Sequence, residues 1–282
     1  MHKTTVIIHG GLGNQLFQFF FALKIVNNNK KFLRVILPKV KQSNNLDIFD
    51  ILEKKSLSKL EIIRVNLFFY RIISKIRIIP AYLLSYLKIQ TDDNLIYNPK
   101  KLKNPFLIYG YFQSLSLILK NEQIQAYLKK DFKRNYINKK NQRLGVHIRR
   151  GDYLSKVHNS THGFIPIQYI VKKFIDLFRD IDQIFIYSDG DVKEELLNYL
   201  NYYLGNSLIN RKKFFFSYNS GMSDKDVFYD MGKNKYLICS NSTFSFWASY
   251  LSKEVEYIYL PKQWYKNKKI SNNLIHSRVK LY

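Results

Sequence analysis

The sequence predicts an α/β protein built on parallel sheets, with a doubly wound second half. Three observations carry this expectation. The chain opens as strand, glycine-rich turn, helix, strand; short apolar runs alternate with segments of helical period from Leu144 onward; and a polar, charged segment, Lys133 to Arg143, separates the two stretches. A length of 282 residues suits about two domains of ordinary size. They are read as a first domain at 1–138 and a second domain at 139–282.

The elements follow in order. Thr4–His9 is a strand, Gly10–Gly13 a turn, and a helix begins near Asn14, which is placed to cap it. Leu16, Phe17, Phe20, Leu23 and Ile25 keep an approximately helical spacing in that helix. A second strand, Phe32–Leu37, stops at Pro38, completing a βαβ opening. From Lys59 to Lys88 apolar and aromatic residues interleave with Arg64, Arg71, Lys75 and Arg77 until Pro80 breaks the run. This stretch reads as amphipathic helices packed in the first domain, with a membrane-surface patch as the second reading. Strand Phe106–Tyr109 then leads into Gly110-Tyr111-Phe112-Gln113-Ser114 and a helix to about Lys130.

The second half runs strand Leu144–Ile148, helix Pro166–Phe178, strand Gln183–Tyr187, helix Val192–Leu200 and strand Phe214–Ser217. Helix Asp224–Gly232, strand Tyr236–Cys239, helix Ser242–Leu251 and strand Val255–Leu260 follow. Strands alternating with helices describe a doubly wound domain. A polar tail ends the chain and is read as able to pack back on the first domain.

Hydrophobic residues make up 46 % and aromatics 16 %, which excludes a disordered chain. The net charge of +25 fits a polyanion, an anionic membrane surface or a nucleotide phosphate as partner. AT-rich coding DNA, which favours Lys, Asn, Ile, Tyr and Phe, accounts for it as well. The single cysteine, Cys239, excludes an intrachain disulfide and a cysteine-based zinc cluster; its apolar neighbours suggest a buried, inert thiol in a reducing compartment. Met1 leads directly into a strand without a signal-peptide core, and no apolar run reaches the roughly 18 residues of a membrane span. The expected location is cytoplasmic, with the inner face of the membrane as the place for any peripheral contact.

Chemistry concentrates in Val146-His147-Ile148-Arg149-Arg150-Gly151-Asp152-Tyr153. Two always-charged guanidinium groups at a strand end, where α/β proteins open their ligand crevice, suit a diphosphate. A surface ion pair between Arg150 and Asp152 is the plainer alternative. Gly10-Gly11-Leu12-Gly13-Asn14-Gln15 resembles a dinucleotide fingerprint in context, but Leu16 replaces the third glycine and the second strand lacks an acidic ribose ligand. An NAD site is therefore not expected, and without GxxxxGK[ST] neither is P-loop chemistry. Ser242, Thr243 and Ser245 in Asn241-Ser242-Thr243-Phe244-Ser245-Phe246-Trp247 place hydroxyls at a helix N-terminus, a second anion-binding end, unless they only cap the helix. Asp189-Gly190-Asp191 and Asp224-Lys225-Asp226 read as acidic helix starts, the histidines lack metal-ligand spacing, and no metal is expected.

In these segments the chain resembles glycosyltransferase family 11, the α-1,2-fucosyltransferases, from end to end. The likeness rests on Gly10 to Gln18, Gly110 to Ser114, His147 to Tyr153 with His162-Gly163, Tyr187-Ser188-Asp189, Asn241 to Trp247, and Leu260-Pro261-Lys262-Gln263-Trp264. Phe246 stands where the family usually has a tryptophan, Gly190 where a second aspartate is common, and Val227 to Met231 shifts an acidic position. The resemblance implies a GT-B-like architecture, two Rossmann-like domains facing a cleft. It implies transfer of L-fucose from GDP-β-L-fucose to the 2-hydroxyl of a terminal galactose, with inversion and with no cofactor or metal.

On that resemblance Arg149 contacts the diphosphate and Arg150 holds the motif through Asp152 or Asp189. His147 meets the nucleotide or orders the loop; Ser242, Thr243 and Ser245 bind phosphate oxygens; Asn14 and Gln15 close the donor site. Asp152 and His162 are the candidates for the base that an inverting transfer uses. The implied partners are GDP-fucose and a galactose-terminated oligosaccharide, lipid-linked in one version, of O-antigen or capsule type. Another nucleotide-sugar transferase is the runner-up. Nucleic acid is not expected as a partner: the arginines form no stripe, and no RRM, KH or helix-turn-helix signature is present.

Overall fold

The computed structural model of the protein describes residues 3–29, 32–39, 46–53, 60–75, 87–92, 105–133, 143–151, 165–178, 181, 183–265, 268–269 and 272–282. The chain divides into two compact units, Met1–Lys129 and Lys130–Tyr282. The sequence reading set the boundary after Asn138, in a segment of which 134–142 lies outside the described residues.

The first unit holds a parallel sheet of five strands in the order β3-β2-β1-β5-β4. These are β1 (Lys3–Ile7), β2 (Phe32–Pro38), β3 (Leu60–Val65), β4 (Ile89–Gln90) and β5 (Leu107–Ile108). β1 is buried from Thr4 onward, as a central parallel strand must be when both faces are covered. Helix α1 (Leu12–Asn29) buries Leu16, Phe17, Phe19, Phe20, Phe21 and Ala22, too many for one stripe, so it is a core helix.

Three expectations for this unit fail. Helix α1 starts at Leu12, so Asn14 lies inside its first turn and does not cap it. The Lys59–Lys88 stretch does not begin as a helix: Leu60–Val65 is β3, in register with β2 from Leu33↔Leu60 to Pro38↔Val65. Ile62, Ile63 and Val65 are β-branched and prefer a pleated surface, and sheet pairing outweighed the mixed apolar and basic pattern. Helix α3 (Leu67–Ser74) follows, after the short α2 (Ile48–Ile51) earlier in the chain. The third failure is the helix expected to run to Lys130. The segment instead carries turns and one short helix, α4 (Asn121–Gln125), and a further short helix, α5 (Lys130–Lys133), opens the second unit.

The second unit holds a six-stranded parallel sheet in the order β13-β10-β9-β6-β7-β8. Its strands are β6 (Arg143–Ile148), β7 (Gln183–Ser188), β8 (Lys213–Phe216), β9 (Tyr236–Ile238), β10 (Tyr257–Leu260) and β13 (Val279–Leu281). Between them lie helices α6 (Ile167–Leu177), α7 (Lys193–Leu204), α8 (Asn206–Ile209), α9 (Asp224–Met231) and α10 (Thr243–Leu251). Ile167, Ile170, Val171 and Phe174 face the core from α6 at helical spacing and pack with Leu144, Val146, Ile184, Ile186, Leu196 and Leu200. Gly145 is required in β6 because a Cβ there would come within 2.4 Å of the Leu237 side chain.

The tail is not merely polar. A small antiparallel pair, β11 (Gln263–Tyr265) with β12 (Lys268–Lys269), precedes β13, which adds to the edge of β10 with Ile258 opposite Val279. Among the described residues, no helix is long and apolar enough to cross a membrane.

Candidate functional site

Each sheet reverses its winding next to a motif. In the second unit β6 leads to β7 and β8 on one side, and the chain then crosses to β9, β10 and β13 on the other. The gap between the carboxyl ends of β6 and β9 is therefore a topological switch point, where open α/β sheets bind ligands. His147 to Gly151 leave β6 there, and Ser240 to Thr243 leave β9. In the first unit β1 is the corresponding strand, with β2 on one side and β5 on the other. Gly10–Gly13 follows β1 and Gly110–Ser114 follows β5.

Asp189, just past the end of β7, organises the arginine motif. Its Oδ1 accepts the backbone N–H of Arg150 at 2.6 Å and that of Gly151 at 3.1 Å, while Oδ2 pairs with Arg149 Nη1 at 2.8 Å. A Cβ on Gly151 would approach Asp189 Oδ2 to 2.5 Å, so this turn needs glycine for space. The two guanidinium groups part company. Arg149 is about one-third exposed at its side chain, whereas Arg150 is buried and reaches both oxygens of Glu195 on α7, at 3.2 and 3.0 Å. Arg150 thus holds the motif through Asp189 by its backbone, one of the two partners expected for it, and through Glu195 by its side chain, a partner the sequence reading did not name. Asp152 and His162, the base candidates, lie outside the described residues.

His147 is buried at the end of β6, with its ring centroid 6.5 Å from that of Phe244. Desolvation, helped by the neighbouring Arg149 charge and opposed by Asp189, lowers its pKa to about 4, so the imidazole is neutral near pH 7. Ser240 ties β9 to this strand end. Its hydroxyl donates to the His147 carbonyl at 2.7 Å and accepts the Arg149 N–H at 2.9 Å. Sequence reading missed Ser240 and Glu195, since nothing local marks a serine or glutamate as the partner of a distant strand end.

The serine cluster divides by role. Ser242 is the N-cap of α10, its Oγ accepting the Phe244 N–H at 3.3 Å. Ser245 is fully buried and donates to the Ser242 carbonyl at 3.3 Å, so its hydroxyl serves the helix. Thr243 stands at the first position of α10, half-buried. Asp224, which the sequence assigned to helix capping, also enters the site's field. The capping box of α9 is made by Ser223 with Asp226, while the Asp224 carboxyl is raised by desolvation and senses both Arg149, which opposes that rise, and Asp189, which adds to it.

A buried polar network supports β6 and β7 from below. Tyr187 donates to Asp230 Oδ2 at 2.8 Å, Asn234 Nδ2 donates to Tyr187 Oη at 2.9 Å, and Arg143 Nη2 reaches the same Asp230 oxygen at 2.8 Å. Burial and the adjacent Asp230 charge raise the Tyr187 phenol far above its ordinary pKa. Asp230 is the acidic residue that departs from the family pattern, and here it closes a structural network. Cys239 is buried, and desolvation pushes its thiol up to about 12, in keeping with an inert side chain.

In the first unit the two glycine-containing segments meet through side chains. Gln113 Nε2 donates to Asn14 Oδ1 at 2.9 Å. Gln15 donates to the Gly10 carbonyl at 2.8 Å and accepts the Ile48 N–H at 3.3 Å. Gln18, buried, clasps the backbone of His9 from both sides, at 2.8 and 2.9 Å. Asp92 accepts the N–H groups of Tyr111 and Phe112 through Oδ2, and its Oδ1 sits where a Cβ on Gly110 would be, 1.4 Å away. Phe112, in the left-handed region at φ 50°, stacks on Phe21 with ring centroids 4.0 Å apart. Asn14 and Gln15 therefore both rim the glycine turn.

Known proteins resemble this arrangement. The family model for glycosyl transferase family 11 matches residues 100–277. The O-antigen biosynthesis glycosyltransferase WbnK of Escherichia coli is 27 % identical over 319 residues, covering 97 % of this chain and 99 % of that protein. Among solved structures, POFUT1 in complex with GDP aligns with TM-score 0.50 at 11 % identity, over 92 % of this chain and 97 % of that one. POFUT1 in complex with GDP-fucose aligns with TM-score 0.50 at 12 % identity, over 92 % and 98 %. These likenesses show the fold, α/β and GT-B-like with two Rossmann-like units. The family match spans all of the arginine, aspartate and serine segments gathered at the β6–β9 switch point, and the chain belongs to glycosyltransferase family 11.

Proposed function

We propose that the protein is a metal-independent, inverting galactoside α-1,2-fucosyltransferase. It moves L-fucose from GDP-β-L-fucose to the 2-hydroxyl of a terminal galactose in a surface glycan of O-antigen or capsule type. The observation that carries the donor half is Arg149, part-exposed at the switch point of the second sheet and aligned by Asp189 and Ser240. The family, the GDP-fucose held by POFUT1 in its complex and the O-antigen role of WbnK support the sugar and the acceptor class.

In this reaction the acceptor oxygen bonds to the anomeric carbon as the bond from that carbon to the β-phosphate oxygen breaks. GDP departs with the electron pair and the hydroxyl proton passes to a base, for which Asp152 and His162 are the candidates. The Arg149 guanidinium stabilises charge accumulating on the diphosphate, the task a metal ion has in other transferases. Thr243, at the first position of α10, and the positive end of that helix favour phosphate oxygens, with Ser242 setting the cap. His147 is a neutral contact to the nucleotide side of the site, and Arg150 holds the turn. The glycan is lipid-linked and is met at the cytoplasmic face of a membrane.

The experiment is a panel of GDP-fucose, GDP-mannose and UDP-galactose against galactose-terminated acceptors, reading nucleotide release and product linkage. Release of GDP from GDP-fucose with an α-1,2 product supports the reading. Turnover with a different donor or another linkage replaces it by the second reading, a family member of different specificity.

A further inference from the structure

Among the described residues, helix α3 carries a cluster of exposed apolar side chains. Leu67, Phe68, Phe69 and Ile72 are 52 %, 69 %, 57 % and 50 % exposed. Phe68 and Ile72 are four residues apart and Phe69 and Ile72 three, so these side chains share one face of the helix. The helix is well made locally: Asn66 Oδ1 accepts the Phe69 N–H at 2.9 Å as its cap. It is also pinned, since Tyr70 Oη donates to the Ile8 carbonyl at 3.0 Å, immediately before the Gly10–Gly13 turn. Two adjacent phenylalanines held in water on a fixed helix, with ring centroids 5.9 Å apart, are costly unless something covers them.

Charge selects the occupant. Residues 59–88 carry Lys59, Arg64, Arg71, Lys75, Arg77 and Lys88 against the single acidic residue Glu61. A second copy of the chain docking through the same face would set like charges against each other, and the whole chain at +25 adds to that repulsion. An anionic lipid bilayer offers the complement: acyl chains for Phe68 and Phe69, and phosphate headgroups for the exposed Arg71 and Lys75 on and beside the helix. We propose that α3 is a lipid-docking element that seats the first unit on an anionic membrane surface. The element lies at the same end of the sheet as the glycine turn, so docking would hold that turn close to a membrane-embedded acceptor. This last consequence rests on the function proposed above; the docking itself does not.

The test is co-sedimentation of the full chain with vesicles of phosphatidylcholine alone and with 30 % phosphatidylglycerol, a composition chosen to give about the surface charge of an anionic leaflet. Binding to the anionic vesicles, weakened by salt and reduced tenfold or more in Phe68→Ser/Phe69→Ser, is expected. Arg71→Gln/Lys75→Gln should lower binding with a shallower salt dependence. Both variants change exposed positions and should keep wild-type turnover on a soluble acceptor. Absence of wild-type binding at low salt, or equal binding by the phenylalanine variant, overturns the proposal. A dimer in sedimentation velocity that the phenylalanine variant disperses also overturns it, by giving the face to a second copy. If no donor is turned over yet lipid binding behaves as expected, only the proposed reaction fails.

Discussion

Arg149 and Asp189 form an ion pair of 2.8 Å that joins the end of β6 to the end of β7. The same carboxylate accepts two backbone N–H groups of the following turn, so one side chain sets both the charge and the path of the arginine motif. On the function proposed above, a diphosphate would compete with Asp189 for this guanidinium.

Arg149→Lys should lower kcat/KM by about 10²–10³-fold, because the planar fork is lost while the charge stays. Steady-state GDP release with a matched far-UV spectrum measures this. Turnover within threefold of wild type would remove Arg149 from the leaving-group role.

Asp189→Ala should destabilise the second unit by about 1–3 kcal/mol, since two N–H groups lose their acceptor as well as Arg149 its counter-charge. Asp189→Asn keeps an acceptor oxygen and should cost less. Urea midpoints for the pair test this ordering; the reverse order would mean that the turn is not held by these hydrogen bonds.

Activity should persist undiminished in excess EDTA, as expected if a fixed guanidinium neutralises the leaving group. Loss of turnover that Mg²⁺ or Mn²⁺ restores would refute the metal-free reaction.

Stability should fall as pH drops from about 6.5 towards 4. His147 and His276 both have folded-state values near 4 through burial, reinforced by Arg149 and Arg278 respectively, so the unfolded chain binds their protons first. Above about pH 6.5 the two groups contribute no slope. Each unit of depression corresponds to about 1.4 kcal/mol at full effect, less for the part-exposed His276. Urea midpoints between pH 7.5 and 5 in wild type and His147→Asn provide the check, and an unchanged slope in the variant would show that His147 is not buried neutral.

Asn14→Ala and Gln113→Ala should be coupled by about 1 kcal/mol in a double-mutant cycle, the worth of one part-buried hydrogen bond. Additive effects would mean that the two segments of the first unit are not joined through these side chains.

The second half was legible in the sequence because its strands are parallel, buried and short. Such strands read as apolar runs, and β6 to β9 are each followed in the chain by a helix. The segments after β1, β5, β6, β7 and β9 were likewise visible as glycine, arginine, aspartate and serine clusters. Local pattern misled at two edge strands, though not at the edge strand β8. β3 and β13 each pair on one side only and keep polar residues among their apolar ones, so the first resembled a helix and the second a tail.

By itself, then, the sequence determined the α/β class, the alternation of elements in the second half and the clustered segments that leave the strand ends, because hydrophobic period and turn chemistry are local properties. Only the tertiary structure decided which strands are neighbours, and with that the partners of each motif. Arg149 and Arg150 are adjacent in the chain and chemically identical, yet one faces Asp189 and the other Glu195. Asn14 and Gln113, 99 positions apart, meet because β1 and β5 pair in the sheet. Pairing across a sheet is set by the burial of both its faces, a property of the whole unit that no short window of sequence contains.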